Sequence, residues 1–331
     1  MTAYRLFGAE TSPYSLKVRS YLRYKDIGFE WIPRSAATEE EFRAHASAPT
    51  VPLLIFPNRP ASQDSTAMLL ALQTDHKEPE SVPDDPACEA LALILEDYAD
   101  EWLNKAMFRC RWGDMPDKRH AAGRVLNQLF AGKTPRDRKK AENQIMDSMA
   151  ARLPLVGADE GNAGTLKESF HRFAKLLDAH LQEHLFLFGG KPSIADFALA
   201  GQLQQLLMDP TPGEWLRERA PFVTAWCEFM EDPKAGAPFK SLPELESTLL
   251  PIFQDEVSRT YLPWAVANAA SASRRKKAFS VTLDDGMFEQ STQRYAAKSF
   301  KEMKKKVARL TKKADTLQSF LDTAGAKVIL D

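Results

Sequence analysis

The sequence predicts a small mixed α/β domain followed by an all-helical domain, with a third segment of different character at the C-terminal end. Three observations carry this. Strand and helix signals alternate over residues 1–78. An acidic, proline-rich stretch at 79–86 (Pro79, Pro83, Asp84, Asp85, Pro86) then reads as a linker. From 87 to 255 apolar residues recur at helical spacing and strand signals are lacking.

Taken in order, residues 4–8 form a short apolar run ending in glycine, a buried strand. Ser12 caps the next helix and Pro13 sits at its first position. Leu16, Val18, Tyr21 and Leu22 give that helix an inner face; Lys17, Arg19 and Lys25 give it a wet one, and Gly28 ends it. Residues 29–32 read as a second strand. Thr38 with Glu41 three positions on predicts a capping box opening a polar helix to His45. Residues 51–56, entered through Pro52, are a third strand, with a further strand allowed before Asp64-Ser65 caps a helix bearing Met68, Leu70 and Leu72. Beyond the linker, 87–112, 164–187, 194–208 and 221–230 are helical in period. The extension, 256–331, holds a hairpin around Asp285-Gly286 and a lysine-rich helix striped by Phe300, Met303, Val307 and Leu310.

Composition narrows the function classes. The 331 residues include 44 Lys+Arg against 45 Asp+Glu, so no global field recruits nucleic acid. Cys88, Cys110 and Cys227 are scattered, odd in number and without a CxxC pair, so neither a disulfide framework nor a metal site is expected. No signal region opens the chain, and no apolar run approaches the roughly 20 residues that span a bilayer. The expectation is a cytoplasmic, soluble protein with no integral membrane segment.

Three motifs in series resemble the glutathione S-transferase superfamily over residues 1–250. Thr11-Ser12-Pro13-Tyr14-Ser15 after the first strand is similar to the start of the first helix in serine-type members such as the tau class. Val51-Pro52 followed by Asp64-Ser65-Thr66 resembles the family's cis-proline and its acidic-Ser motif. Gly189-Gly190-Lys191-Pro192-Ser193-Ile194-Ala195-Asp196 looks like the buried capping box of the central C-terminal helix. The resemblance implies a thioredoxin-like N-terminal domain, a GST-type helical C-terminal domain, glutathione as cosubstrate, a small hydrophobic electrophile and a homodimer.

It also implies roles. Ser12 would donate to the glutathione thiolate: a free thiol ionises near pH 8.5, so each pH unit of lowering needs about 1.4 kcal/mol. Thr11, Tyr14 and Ser15 are competing hydroxyls. Val51, before cis Pro52, would pair with the peptide backbone, while Asp64 and Ser65 would take the γ-glutamyl ammonium and carboxylate. Asp64 stands where Glu or Gln is usual, and Thr50 where a basic residue holds the glycyl carboxylate; Arg34 and Arg43 are possible substitutes. Tyr14, Tyr98, Trp102, Phe108, Arg109 and Trp112 are candidates for an electrophile pocket. The rival reading is a non-catalytic binding protein on the same fold.

Other signals point nowhere further. Gly132-Lys133-Thr134 mimics the end of a phosphate loop, with Asn127 in place of the first glycine. His180 and His184 share a helix face and read as surface residues without a third ligand. Residues 273–313 carry 13 Lys/Arg against 4 Asp/Glu, read as a solvated face on a helix docked on the protein's own helical domain.

Overall fold

The computed structural model describes residues 4–130, 137–284 and 286–330; the Gly132-Lys133-Thr134 motif and Asp285 lie outside them. Strand β1 (Tyr4–Gly8) is followed by α1 (Pro13–Tyr24), β2 (Phe29–Pro33), α2 (Glu39–His45), β3 (Leu53–Ile55) and α3 (Ser65–Asp75). The sheet order is β2-β1-β3, with β1 parallel to β2 and antiparallel to β3. A fourth strand is reduced to one bridge between Leu54 and Ser62.

Three local expectations change. Thr38 does not cap α2, because its hydroxyl accepts from Ser35 N–H and donates to the Pro33 carbonyl, while Glu41 pairs with Arg5. The turn leaving α1 takes its left-handed residue at Asp26 (φ 52°) rather than at Gly28. Lys17 and Lys25 do not face water; both are buried. The Lys17 ammonium is paired with Glu96 at 2.6 Å and Asp100 at 2.7 Å, and Lys25 donates to Gln73 and to the Lys77 and Pro79 carbonyls. A buried ammonium persists only when so satisfied, and the partners lie on elements that periodicity along α1 cannot reveal.

The helical part runs α4 (Pro86–Tyr98), a π-helical turn (Ala99–Leu103), α5 (Asn104–Gly113), α6 (Met115–Leu129), α7 (Arg138–Ala150), α8 (Leu153–Val156), α9 (Ala163–Leu181), α10 (Ile194–Met208), α11 (Pro210–Arg219), α12 (Pro221–Phe229) and α13 (Leu242–Ile252). Helix α10 is buried from Ile194 through Leu206 and is the central post of the fold. It touches α1 so closely that a Cβ on Gly201 would lie 2.5 Å from the Pro13 carbonyl oxygen. Its start is held by Asp196, whose carboxylate accepts from Ser193 N–H (2.8 Å), the Ser193 hydroxyl (2.7 Å) and Leu187 N–H (2.9 Å). Burial pushes that carboxyl up to about 6.

A second π-helical segment (Phe253–Tyr261) leads into α14 (Leu262–Ser273), the hairpin β4 (Ala278–Leu283) and β5 (Gly286–Ser291), then α15 (Arg294–Thr311) and α16 (Asp315–Thr323). Helix α15 packs on α4 and α14, burying Phe300, Met303, Val307 and Leu310. Polar and aromatic contacts fasten the extension to the first long helix. Tyr261 and Ser299 both donate to Asp97, Tyr98 donates to Glu256, and Trp102 stacks near Trp264 and Phe288 with ring centroids 5.8 and 5.2 Å away.

Candidate functional site

The register of β1 against β3 pairs Phe7 with Leu53. The chain just before β3, Val51-Pro52, therefore lies beside the turn that follows β1 and opens α1. Gln63 ties the third segment to these two: its side chain accepts from Ser47 and Ala48 N–H and donates to the Ala48 and Thr50 carbonyls. The next residue, Asp64, caps α3 by accepting from Ala67 N–H at 3.0 Å. Ser12, Val51 and Asp64-Ser65 are thus gathered at one end of the sheet. Gln63 itself gave no sequence signal; its function depends on a loop folded back onto it.

Each of these residues has unspent hydrogen-bonding capacity. The Ser12 oxygen accepts from Ser15 N–H at 3.2 Å, which uses a lone pair and leaves its own O–H with no acceptor among the described residues. The turn carrying Ser12 is fixed from behind: Arg111 donates to the Thr11 carbonyl, and Gln205 and Arg124 donate to that of Glu10. Competing hydroxyls are less available. Ser15 is buried and accepts from Ala9 N–H, and Tyr14 donates to the Asp100 carbonyl. The Val51–Pro52 bond is cis, and the Val51 N–H and C=O have no partner among the described residues. At the start of α3, the Ser65 and Thr66 N–H groups are likewise unpaired, as the first turn of a helix requires.

Behind this face runs an acidic row from α4 and its π turn: Glu96, Asp97, Asp100 and Glu101. A π turn inserts one residue into the helical register, and here it places Asp100 toward Lys17 and Tyr14. Burial raises the Asp100 and Glu101 carboxyls to about 7 and about 8, and lowers Lys105 beside them to about 8. One oxygen of Asp100 is buried without a partner among the described residues. Tyr295, from α15, donates to the second oxygen of Asp64 at 2.8 Å, so the extension reaches the start of α3.

The electrophile-pocket candidates are not brought together. Tyr98, Trp102 and Trp112 are core residues with at most 2% exposure; the Tyr98 hydroxyl donates to Glu256 and the Trp102 indole to Ser169. Their aromatic spacing reported packing between α4, α5 and the extension. Phe108 packs against the core beside Trp112. Arg109 pairs with Glu160 at 2.7 Å and lines a cavity of about 300 Å³ with Phe170, His171 and Trp215, which no residue of the sheet domain lines. Only Tyr14 stands near Asp100 and the α1 turn. Arg34 is taken by Glu39 and the Pro49 carbonyl, so it is not free for a glycyl carboxylate, whereas Arg43 meets Glu39 through Nε alone and is otherwise exposed. His180 and His184 are buried rather than on the surface: His180 bonds Thr248 and the Leu187 carbonyl, and burial lowers it to about 3. Among the described residues no cluster of three or more His, Cys, Asp or Glu could hold a metal ion, and no helix is long and apolar enough to cross a membrane.

Comparison with known proteins defines the class. Residues 6–80 match the glutathione S-transferase N-terminal domain, and residues 141–229 the C-terminal domain. The chain belongs to the glutathione S-transferase superfamily. Its similarity to individual members is low. A glutathione S-transferase U11 of Arabidopsis thaliana is 26% identical over 99 residues, 29% of this chain and 42% of that protein, so the match spans less than half of its relative. A tau-class glutathione S-transferase of mango, Mangifera indica, aligns with a TM-score of 0.43 at 19% identity, covering 69% of this chain and 88% of that one. A Methylobacterium radiotolerans glutathione S-transferase, solved with glutathione sulfonate, gives 0.44 at 21% identity, over 72% and 99% of the two chains.

Proposed function

We propose that this protein binds glutathione across the end of the sheet and holds its thiolate toward a small electrophile. The observation that carries the reading is the set of unspent groups on one face: the Ser12 O–H, the Val51 backbone pair, and the N–H groups and hydroxyl at the start of α3 beside the Asp64 carboxylate. An extended tripeptide needs a backbone partner, a carboxylate seat and an ammonium seat, and its thiolate needs a donor. In this reading Val51 supplies the first, Ser65 and the α3 N-terminus the second, Asp64 the third and Ser12 the last. In this reading the protein is cytoplasmic and acts as a homodimer. A thermal-shift titration with glutathione tests binding, with about 2.7 kcal/mol of stabilisation expected at 100 times the dissociation constant. A panel of aryl halides and epoxides then tests conjugation. Absence of a shift at 10 mM glutathione would overturn the reading.

A second reading, a binding protein without conjugating activity, is favoured by the glycyl end of the site. Thr50 carries no charge there, and Arg34 is spent on Glu39 and the Pro49 carbonyl. Glutathione binding without turnover of any electrophile in the panel selects it.

A further inference from the structure

We propose that α15 forms the second wall of a seat for an α-amino-acid terminus, with Lys298 adding a cation to the Ser65 and α3 N–H groups that hold its carboxylate and Tyr295 orienting Asp64 toward its ammonium. The inference rests on the glutathione reading and assigns the extension to the γ-glutamyl end of that site. A cleft of about 190 Å³ separates the start of α3 and the middle of α4 from α15. One wall holds Asp64, Thr66 and Glu96, the other Tyr295, Lys298 and Lys306. That volume is below the range for a drug-sized ligand, so it suits a terminal group rather than a whole tripeptide.

The charges on the two walls are not all matched to one another. Glu96 is spent on Lys17, and Glu302, also in the cleft, on Lys305. Asp97, also in the cleft, takes the Tyr261 and Ser299 hydroxyls. Lys298 and Lys306 have no carboxylate within ion-pair distance among the described residues, acting on Glu302 and Glu89 only from farther off, and Asp64 has no cation within that distance. A zwitterion satisfies both sides at once. A simple anion or cation would leave one wall unmatched. The two oxygens of Asp64 are fixed by Ala67 N–H and by the Tyr295 hydroxyl, and each keeps a lone pair for an ammonium. Tyr295 is 61% exposed, so it serves here without being a packing residue. It is a positioning residue, acting through Asp64.

The test is calorimetric titration of the full-length protein and of Lys298→Ala and Tyr295→Phe with three ligands: glutathione, its analogue lacking the γ-glutamyl α-amino group, and L-glutamate. Both side chains are exposed at their polar ends, and circular dichroism melting checks that each variant folds. Lys298→Ala should weaken glutathione at least tenfold. Tyr295→Phe should weaken glutathione severalfold yet leave the affinity for the deamino analogue unchanged, a difference that a merely structural role would not produce. If the wild type binds glutathione and both variants bind it equally well, the assignment of α15 is wrong and the glutathione reading stands. If the wild type binds L-glutamate but not glutathione, and Lys298→Ala abolishes this, the seat is right and the glutathione reading is wrong. If the wild type binds none of the three, both are wrong.

Discussion

Replacing Asp196 with alanine removes one acceptor from three buried donors: Ser193 N–H, the Ser193 hydroxyl and Leu187 N–H. The hydroxyl can turn elsewhere, but the two backbone N–H groups cannot, and each stranded donor costs about 1–3 kcal/mol. The gross loss is therefore about 2–6 kcal/mol. Against it stands the burial of a carboxylate, raised from 3.8 to about 6. At pH 7 that displacement, at about 1.4 kcal/mol per pH unit, offsets about 3 kcal/mol. At the middle of that range the hydrogen bonds win by about 1 kcal/mol at neutral pH, the bounds being about −1 and +3 kcal/mol. The sign of the pH dependence follows from the same displacement. A carboxyl with a raised folded-state pKa binds its proton more tightly in the folded protein, so its contribution to stability grows as pH falls from about 6 toward 4. The gap between wild type and Asp196→Ala should therefore widen by about 1 kcal/mol from pH 7 to pH 5. Urea unfolding followed by far-UV circular dichroism at the two pH values measures both quantities. A gap that stays fixed or narrows at pH 5 refutes the reasoning.

Three further outcomes are expected. Ser12→Ala should lower any conjugation rate by about 10–1,000-fold, the range for one positioned donor, with glutathione affinity little changed; an unchanged rate in steady-state assays passes the role to Thr11. Asp100 and Glu101, raised by burial to about 7 and about 8, keep protons in the folded state that the unfolded chain releases, so the melting temperature should fall between pH 6.5 and 8. His180, lowered to about 3, and Lys105 and Lys25, lowered to about 8, act in the opposite sense at the two edges of that window; scanning calorimetry of an Asp100→Asn, Glu101→Gln double variant should show the fall replaced by a slight rise. Val307→Asp puts a carboxylate into the wholly buried contact of α15 with the rest of the protein, and limited proteolysis should then release the segment beyond 293; wild-type resistance would show that α15 is held by other contacts.

The parts of this fold legible in the sequence are those with local causes. Pro13 after Ser12, the Asp64 cap and the Ser193–Asp196 box all declare themselves within four residues, because the group that needs a partner and the group that supplies it are neighbours in the chain. The stripe on α15 was legible for a similar reason, since one helix face carries all of Phe300, Met303, Val307 and Leu310. What failed did so where the partner is remote. Lys17 reads as a solvent residue until Glu96 and Asp100 are brought to it from about 80 positions away. His180, near the end of α9, and His184, just beyond it, read as surface until Thr248 and Lys240 close over them. The aromatic run at Tyr98, Trp102 and Trp112 is equally consistent with a cleft and with a core; only the presence of Trp264 and Phe288 against it decides for the core.

The acidic row on α4 and the C-terminal extension are best understood as one construction. Four carboxylates within six residues, Glu96 to Glu101, would repel one another on an open helix face. Here Lys17 of α1 is shared by Glu96 and Asp100, Tyr261 and Ser299 of the extension donate to Asp97, and burial raises Glu101 to about 8 so that it keeps its proton. Both partners of Asp97 lie beyond residue 256. Without the extension Asp97 would be hydrated and ordinary, and the Asp64 carboxylate would lose its Tyr295 contact. The same helix that covers the apolar side of α4 thus also dries its charged side. A charged group reads its surroundings more strongly in a dry site than in water. A ligand ammonium arriving beside Asp64 would therefore meet carboxylates already held in place, with little reorganisation left to make.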